Sequence, residues 1–415
     1  MDFLHQNTNV YWDKSDTNEL KMHKIHAYPA KFPAFLTQKA INFAQEEGVK
    51  INLLADIFCG CGTSALEARR SGINFWGCDI NPIATLIAKT KSAIYEPATL
   101  DKLYNLILHK FELSKLISTS MDEINPRIKY WFTEENIIEL MNLKQAIQYV
   151  TKDLEIYQNF FLCCFSNILK ATSNWLTKSI KPQSDPNKTP SSVITAFSAQ
   201  YEFMRDANNE LRNEELANTQ VEIHQLNFLK YEIEKPFVDL LISSPPYVTS
   251  YEYADLHQLS TLWLEFTEDY RDLRKGTIGS IYNIDLNKNE VKNIFEPGKS
   301  TVNELWKIDT RKAKAVLKYY IDIQKAVSKC KDIIARNGMA LFVIGDTEYK
   351  GVRVQNSIHL ENTLVYAGFT NVRKMKRKIT GKNLTPYRDK LGRFSSDKTE
   401  RKVYAEEFVI VGRNQ

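Results

Sequence analysis

The order of apolar runs along the chain predicts strands that alternate with helices. Short apolar runs at 53–58 and 74–78 have the length and composition of buried strands, and segments with helical spacing flank them. Further strand-like runs follow a long interval, at 221–224, 238–242, 339–346 and 406–412. Strands and helices that alternate in this way build a doubly wound, mostly parallel sheet, so we expect an α/β fold.

The interval between the first two strands and the later ones has a different pattern. Amphipathic helices are predicted at 100–116, 134–149 and 154–169, and a polar, exposed helix at 203–217. We expect residues 97–219 to form a helical insertion that either shapes a substrate groove or is purely structural. The segment 266–306 lacks clear periodicity, whereas 310–336 predicts a long helix that Asn337-Gly338 would end.

These boundaries divide the chain around one sheet. Residues 23–96 are expected to form a cofactor-binding half, and residues 220–265 with 307–415 a catalytic half. The helical insertion (97–219) and the irregular segment (266–306) interrupt them.

A glycine loop and an acid follow the first two strands. Cys59-Gly60-Cys61-Gly62-Thr63 comes directly after the first strand, and Asp79 closes the second. Glycine lets the backbone approach a ligand closely, and an acid at this place bonds the hydroxyls of a ribose. Gly60-x-Gly62-x-x-Ala65 also fits a dinucleotide fingerprint, so a nicotinamide dehydrogenase stays open beside an S-adenosylmethionine enzyme.

A stiff turn ends the strand at 238–242. In Ser244-Pro245-Pro246-Tyr247 two prolines fix two φ angles and remove two donors, leaving carbonyls, a hydroxyl and an aromatic ring. Ligands of open α/β sheets bind at this edge, and a rigid set of acceptors beside a ring suits a flat base with an amino group. An ordinary proline turn is the alternative. Asn227 follows the strand at 221–224, where its amide could bond a base edge.

Composition adds one asymmetry to an otherwise ordinary chain. The 415 residues are 43% hydrophobic and 25% charged, as in soluble globular proteins, with a net charge of +5. Residues 373–402 hold twelve Lys or Arg against three Asp or Glu, a balance of +9, which leaves −4 for the remainder. Such a segment either binds a polyanion or is a solvated loop.

The cysteines and the apolar runs indicate in which cellular compartment the protein is expected. The six cysteines have neither the spacing of a disulfide framework nor that of a metal site, so we expect reduced thiols, no metal and a cytoplasmic protein. Residues 1–6 have no basic stretch before an apolar core, so no secretory signal is expected. The longest apolar run, 160–165, is too short to span a membrane.

Taken together, these motifs resemble the amino-methyltransferases of DNA. The similarity is carried by Asp56-x-Phe58-x-Gly60-x-Gly62-Thr63, Asp79, Ser244-Pro245-Pro246-Tyr247 and the preceding segment His26-Ala27-Tyr28-Pro29-Ala30-Lys31-Phe32. It covers 23–95 and 221–265, and more loosely 310–415. The resemblance implies the Rossmann-like fold of S-adenosylmethionine-dependent methyltransferases, with S-adenosylmethionine as cofactor and double-stranded DNA as partner.

The resemblance also implies roles for individual residues. A base swung out of the duplex would stack on Tyr247, while Ser244 Oγ and the Pro245 carbonyl would accept hydrogen bonds from its exocyclic amine and Pro246 would stiffen the corner. The implied cofactor-binding residues are Tyr28, Ala30, Lys31, Phe32, Asp56, Phe58, Cys59, Gly60, Gly62, Thr63, Asp79, Ile80, Asn81 and Asn227. The predicted DNA-binding residues are Arg373, Lys374, Lys376, Arg377 and Lys378.

The identity of the methylated base is a finer expectation. A serine in the first position of the turn is similar to the cytosine-N4 enzymes, and adenine-N6 is the alternative. Asn227 stands where the family often has an acid, and target recognition is left open between 97–219 and 266–306. An RNA base methyltransferase and a non-enzymatic DNA-binding regulator also stay open. The resemblance further implies a cytoplasmic, nucleoid-associated enzyme of a prokaryote or phage, and a restriction-modification role in which a cognate endonuclease shares the site.

Overall fold

The computed structural model describes residues 10–13, 18–114, 121, 123–214, 216–248, 252–282, 285–379, 387–388, 397, 401–402 and 406–415. The strands in these ranges are β1 (Leu53–Asp56), β2 (Asn74–Asp79), β3 (Val221–Gln225), β4 (Val238–Ser243), β5 (Ile334–Gly345), β6 (Thr347–Tyr349), β7 (Val352–Val354), β8 (Thr370–Lys378), β9 (Tyr387–Arg388), β10 (Arg401–Lys402) and β11 (Glu406–Arg413). β6 pairs with β7, and β9 with β10, in two small antiparallel ribbons.

The other seven strands form one central sheet in the order β3-β2-β1-β4-β5-β11-β8. The pairs from β3 to β5 are parallel, and β11 is antiparallel to both of its neighbours. The predicted doubly wound, mostly parallel sheet is therefore confirmed. The strand order reverses between β1 and β4, so the crevice that binds ligands in such sheets lies beside the carboxyl ends of these two strands.

Helices cover both faces of the sheet. The α-helices are α1 (Ala34–Glu46), α2 (Thr63–Arg70), α3 (Pro82–Ser92), α4 (Pro97–Ser114), α5 (Pro126–Trp131), α6 (Glu134–Val150), α7 (Glu155–Ile168), α8 (Val193–Arg212), α9 (Tyr253–Leu256), α10 (Gln258–Trp263), α11 (Gly298–Ile308), α12 (Thr310–Ile333) and α13 (Asn356–Tyr366). Short 3₁₀ helices occupy Val10–Trp12, Lys21–Lys24, Phe228–Lys230, Tyr270–Arg274 and Lys288–Asn293.

Alternation along the central strands separates the two layers. In β4, Leu240 and Ile242 belong to a core that contains Leu36 and Ala40 of α1. Leu241 points to the opposite face, into the core formed with α12 and α13. A strand buried on both faces explains why the run at 238–242 is continuously apolar.

The region from α4 to α8 has a core of its own, which also includes residues of α3 and α10. Helices α4, α6 and α7 coincide with the predicted ones to within a few residues. The prediction of an exposed helix at 203–217 was wrong. Helix α8 spans Val193–Arg212, and Met204, Ala207 and Leu211, which lie within the predicted range, are buried, because the apolar spacing starts before the acidic stretch and continues through it.

The prediction that Asn337-Gly338 ends the long helix was wrong. Helix α12 ends at Ile333, and β5 begins at the next residue and contains Asn337, whose φ is +68°. A Cβ on Gly338 would lie 2.8 Å from the carbonyl oxygen of Asp239. Glycine is therefore required here because β5 passes close to β4.

Two polar segments are more regular than their sequences indicated. Residues 373–378 belong to β8, the edge strand of the sheet, and the segment 266–306 contains α11 and two 3₁₀ helices. None of the helices in the described ranges has both the length and the apolar character needed to cross a bilayer. Within the same ranges, no group of three or more His, Cys, Asp or Glu side chains is arranged to hold a metal ion.

Candidate active site

The loop after β1 turns twice through left-handed backbone geometry. Gly60 and Gly62 have φ angles of +48° and +75°, which glycine adopts readily. A Cβ on Gly60 would lie 3.4 Å from the hydroxyl oxygen of Tyr28, whereas a Cβ on Gly62 would lie 2.6 Å from the Cβ of Ala88 in α3. Gly60 therefore faces the cleft, and Gly62 allows the start of α2 to pack against α3.

Asp56 joins the glycine loop to the end of β4. Its Oδ1 accepts hydrogen bonds from the backbone N–H of Phe58 at 3.1 Å and from Ser243 Oγ at 2.6 Å, and its Oδ2 accepts from Ser64 Oγ at 3.0 Å. Burial raises the pKa of this carboxyl to about 6. Since both oxygens already accept from the protein, Asp56 positions the loop at the switch point.

Asp79 stands at the end of β2 and accepts hydrogen bonds from nearby backbone. Its Oδ2 accepts from the N–H of Gly60 at 2.9 Å and its Oδ1 from the N–H of Asn81 at 2.8 Å. Burial raises the pKa of this carboxyl to about 6. Each oxygen keeps a lone pair for a further donor.

The segment before α1 covers the glycine loop with an aromatic ring. Tyr28 stacks on Tyr253 with ring centroids 5.8 Å apart, and its ring centroid lies 5.2 Å from that of His257. Ala30 has a positive φ of 54°. The ammonium of Lys31 pairs with Glu19 at 2.6 Å and also donates to the His23 carbonyl.

The proline turn after β4 presents its hydroxyl as an acceptor. Ser244 Oγ donates to the carbonyl oxygen of Val343 in β5 at 3.1 Å, so its lone pairs are left for an incoming donor. Pro245 is buried, while Ser244, Pro246 and Tyr247 are partly exposed.

Tyr247 is tied to the far side of the sheet. Its hydroxyl donates to Glu407 Oε1 of β11 at 3.2 Å, and the other oxygen of that carboxylate accepts from Arg377 Nε of β8 at 2.9 Å. Arg377 is buried and also donates to the carbonyl of Trp12 at 3.3 Å. Burial, together with Glu407, holds the pKa of Tyr247 well above its usual range.

One cavity of about 2120 Å³ joins the glycine loop and the proline turn. The predicted site residues that line it are Tyr28, Ala30, Lys31, Phe32, Asp56, Phe58, Cys59, Gly60, Thr63, Asp79, Ile80, Asn81, Asn227, Ser244, Pro245, Pro246 and Tyr247. Of the predicted cofactor-binding set, Gly62 alone is outside this lining, because it packs against α3. Tyr247 and the pair Gly60 and Asp79 thus share a single space.

Residues around Asp79 suit the adenosine of the expected S-adenosylmethionine. Asp79 has spare acceptors for ribose hydroxyls, and Ile80 adds apolar surface beside it. The ring of Tyr28 and the bare backbone of Gly60 form the adjoining wall. The donor and acceptor set is therefore compatible with this ligand.

Asn227 makes two contacts within the protein. Its Oδ1 accepts from the N–H of Leu229 at 2.9 Å, and its Nδ2 donates to the carbonyl of Gly276 at 3.2 Å. The side chain thereby joins the end of β3 to the segment 266–306 at the cavity wall. One N–H and one lone pair remain for a ligand.

Most of the predicted DNA-binding residues lie away from the cavity. Arg373 pairs with Glu47 at 3.1 Å and the ammonium of Lys374 with Glu361, while Lys376 and Lys378 lie on the same edge strand. Among the five, only Arg377 lines the cavity, where it is buried and paired with Glu407. Residues 380–386, 389–396 and 398–400 of the basic segment lie outside the described residues.

The partners that hold these residues in place were not predicted from the sequence. Glu407 is 160 residues from Tyr247, and no spacing rule connects them. His257 receives a hydrogen bond from Asn81 at 2.7 Å, across 176 residues. The nearest usable signal was the acidic start of the final strand, at Glu406-Glu407, which is unusual beside a buried apolar run.

Comparisons with known proteins agree with the motifs. The sequence model of a DNA methylase family matches residues 4–90. The Type II methyltransferase M.MvaI of Kocuria varians is 25% identical over 408 residues, which cover 91% of this chain and 88% of that protein. The Type II methyltransferase M.BsoBI of Geobacillus stearothermophilus is 24% identical over 289 residues, covering 62% and 56%.

Solved structures give weaker likenesses. The rRNA methyltransferase aviRa of Streptomyces viridochromogenes aligns with a TM-score of 0.33 and 9% identity, over 94% of this chain and 89% of that one. The S-adenosylmethionine-dependent methyltransferase SibL aligns with a TM-score of 0.21 and 10% identity, over 80% and 74%. Both scores are low, and the architecture is established by the strand order itself.

Proposed function

We propose that this chain, which is similar to the amino-methyltransferases of DNA, uses S-adenosylmethionine to methylate the exocyclic N4 amine of cytosine at a specific site in DNA. The observation that carries the proposal is the Ser244 turn. Its hydroxyl is an acceptor, it opens into the cavity shared with Asp79, and a first-position serine resembles the cytosine-N4 enzymes.

Ser244 and Pro245 would orient the amine. The exocyclic nitrogen of cytosine is a poor nucleophile because its lone pair is delocalised into the ring. Acceptance of its two N–H bonds by Ser244 Oγ and the Pro245 carbonyl favours the pyramidal nitrogen, whose lone pair is then available. Val343 fixes the hydroxyl rotor by accepting its hydrogen bond, so little reorganisation is needed when the base arrives.

Tyr247 would hold the ring of the base. A base that leaves the duplex loses its stacking, and an aromatic wall in the pocket restores part of it. The hydrogen bond to Glu407 restricts rotation of the Tyr247 ring, and the Glu407–Arg377 ion pair fixes the acceptor in turn. Pro246 keeps the backbone between Pro245 and Tyr247 stiff.

The wall around Gly60 would hold the cofactor. Asp79 would accept from the ribose hydroxyls, while Ile80, Tyr28 and Phe58 enclose the adenosine and Gly60 allows close approach of the backbone. When bound, S-adenosylmethionine supplies a methyl group on a positively charged sulfur. Ser244 is too weakly basic to remove a proton beforehand, so the amine proton leaves to solvent only after transfer.

DNA would lie across the open side of this cavity. Both candidate recognition segments reach its wall, through Lys170 and Lys181 from the helical insertion and through Arg274 from 266–306. Lys170 and Lys181 support contacts to the phosphate backbone, whereas Arg274 is paired with Asp255. Arg373, Lys374, Lys376 and Lys378 on the edge strand, away from the cavity, would extend these contacts along the DNA. Arg377 would position Tyr247, because it pairs with the Glu407 carboxylate that accepts the Tyr247 hydrogen bond, and it would not contact DNA.

A modification role would follow from methylation at a specific site. Both relatives are named Type II methyltransferases. We therefore propose that the protein is the modification enzyme of a restriction-modification system, at the nucleoid of its host, and that a cognate endonuclease recognises the same site.

Labelling of DNA tests the proposed base. Genomic DNA is incubated with the enzyme and tritiated S-adenosylmethionine, digested to nucleosides and separated. The proposal expects the label on N4-methyl-2′-deoxycytidine alone. Label on N6-methyl-2′-deoxyadenosine would contradict the cytosine assignment, and label in an RNA control but not in DNA would contradict the substrate class.

A further inference from the structure

His257 lies at the cavity wall and has no part in the transfer proposed above. The residue is 4% exposed, and its imidazole lies beside the ring of Tyr28, with ring centroids 5.2 Å apart, and 6.3 Å from the centroid of Tyr253. The residue connects α9 to α10. The chain that follows the proline turn thereby returns to the glycine-loop side of the cavity.

Hydrogen bonds around Asn81 determine which ring nitrogen carries the proton. Asn81 Oδ1 accepts from the N–H of Ile83 at 3.0 Å, where it caps α3, so the Asn81 amide group faces His257. That group donates to His257 Nδ1 at 2.7 Å. Nδ1 is therefore an acceptor, and the proton of the neutral ring is on Nε2. Burial lowers the pKa of His257 to about 3, which keeps the ring neutral.

The Nε2–H donor has no hydrogen-bond partner among the residues that the structure describes. A buried donor without a partner costs free energy, which a ligand acceptor would recover. Two residues that contact the ring of His257, Asn81 and Tyr28, belong to the cofactor side of the cavity. Asn81 is two residues beyond Asp79, and Tyr28 lies against Gly60.

We propose that His257 is a cofactor-binding residue whose Nε2–H donates a hydrogen bond to an acceptor oxygen of bound S-adenosylmethionine. The inference rests on the proposed placement of the cofactor beside Gly60 and Asp79. The acceptor is either the carboxylate or a ribose hydroxyl, and both are present in the product S-adenosylhomocysteine. Asn81 acts through His257 as a positioning residue, because it selects the tautomer.

Two substitutions separate the donor from the packing. His257→Asn keeps an acceptor at the place of Nδ1 for Asn81 but has no donor at the place of Nε2. His257→Gln puts an amide N–H near the place of Nε2. Titration calorimetry with S-adenosylhomocysteine is expected to show roughly tenfold weaker binding for H257N, and binding closer to wild type for H257Q. Thermal unfolding of each variant serves as the control for folding.

The tautomer gives a second readout, which does not depend on a variant folding. In wild-type protein labelled with ¹⁵N-histidine, His257 is expected as the neutral Nε2–H form at about pH 7. Its Nε2–H signal should shift when S-adenosylhomocysteine is added. An Nδ1–H tautomer or a signal that the ligand does not move would overturn the inference.

The calorimetry distinguishes failure of this inference from failure of the proposed function. Equal affinity in H257N and wild type overturns the role of His257, even where methylation continues. A defect in H257N confined to the Kd for DNA also overturns it, since the donor would then serve the base. Label on a base other than cytosine would overturn the proposed base specificity and leave the cofactor contact intact.

Discussion

The cofactor side of the cavity, around Asp79, and the base side, around Tyr247, are stabilised by different kinds of contact. On the cofactor side, Asp79 accepts from Gly60 and Asn81, which are 19 and 2 residues away. On the base side, Tyr247 is held by Glu407, which is 160 residues away on β11, beyond β5 in the sheet. The hydrogen bonds of Asp79 lie within one continuous unit from β1 through α2 and β2 to the start of α3, whereas the hydrogen bond of Tyr247 requires the distant strand β11 to be in place.

This difference leads to opposite expectations for mutation. A change on the cofactor wall should alter ligand affinity with little effect on the turn. A change at Glu407 or Arg377, which hold Tyr247 in place, should alter turnover and stability and leave cofactor affinity unchanged. Substitutions on each wall therefore test whether the two functions are separable.

The largest effect is expected at Ser244. Ser244→Ala removes the acceptor that orients the amine, and methyl transfer should fall by about 10²–10³-fold, by analogy with the loss of one preorganised hydrogen-bonding group. The Kd for S-adenosylhomocysteine should not change. Single-turnover transfer to DNA measures the first quantity and calorimetry the second.

The neighbouring serine is a matched control for this substitution. Ser243 donates to Asp56 in the core, so Ser243→Ala should lower thermal stability more than Ser244→Ala does. Full activity of S244A would remove the role given to the turn.

Asp79 should control affinity rather than turnover. Asp79→Asn places an amide where two backbone N–H groups and the ribose need acceptors, and we expect roughly 10–100-fold weaker binding of S-adenosylhomocysteine. Since its pKa is raised to about 6, the carboxylate loses its charge as the pH falls through this value, and wild-type affinity should weaken below it. D79N should lack this pH dependence.

Asp239 provides a matched control for Asp79→Asn, because its carboxylate also accepts hydrogen bonds from two backbone N–H groups. Its Oδ2 accepts from the N–H groups of Asn52 and Leu53 at the opposite end of β1. Asp239→Asn should lower stability and leave ligand affinity and its pH profile as in wild type. A matching loss of affinity in both variants would mean that Asp79 acts only through folding.

A smaller effect on methyl transfer is expected from a change at Glu407, which accepts the hydrogen bond of Tyr247. Glu407→Gln leaves an acceptor for Tyr247 but removes the charge opposite buried Arg377, so the free energy of unfolding should fall by roughly 2–3 kcal/mol. Looser positioning of the ring should slow transfer about tenfold. Tyr247→Phe keeps the ring for stacking but removes its hydrogen bond to Glu407, so it should slow transfer by at least as much as E407Q does, without the loss of stability that follows from unpairing Arg377. Urea unfolding and single-turnover rates measure these changes.

The smallest effect is expected on the edge strand. Neutralising Arg373, Lys374, Lys376 and Lys378 to Gln should reduce the slope of log Kd for DNA against log salt by about one for each phosphate that is no longer bound. Lys325→Gln, at an exposed position of α12, is the control. An unchanged slope would mean that this strand does not contact DNA.

Local chemistry explains what could be predicted. The glycine loop, the acid after β2 and the proline turn are each contained in a few consecutive residues, and buried apolar runs identify the parallel strands. Because parallel strands bring their carboxyl ends to one edge, the loop and the turn could be placed together from the sequence alone.

Contacts between distant segments explain what could not be predicted. The basic run at 373–378 has the composition of a polyanion-binding surface, yet Arg377 faces the core, because alternation in β8 turns it towards Glu407 of β11. Asn337-Gly338 has the composition of a helix stop, yet the close approach of Asp239 determines its role within β5. In both places tertiary packing overrode a local signal.

The most direct test of the shared cavity is a crystal structure with S-adenosylhomocysteine bound. The ribose hydroxyls are predicted to contact Asp79, and the thioether sulfur to face Ser244 and Tyr247 across the cavity. A ligand that turns its sulfur away from that corner, or binds elsewhere, would contradict the proposed transfer.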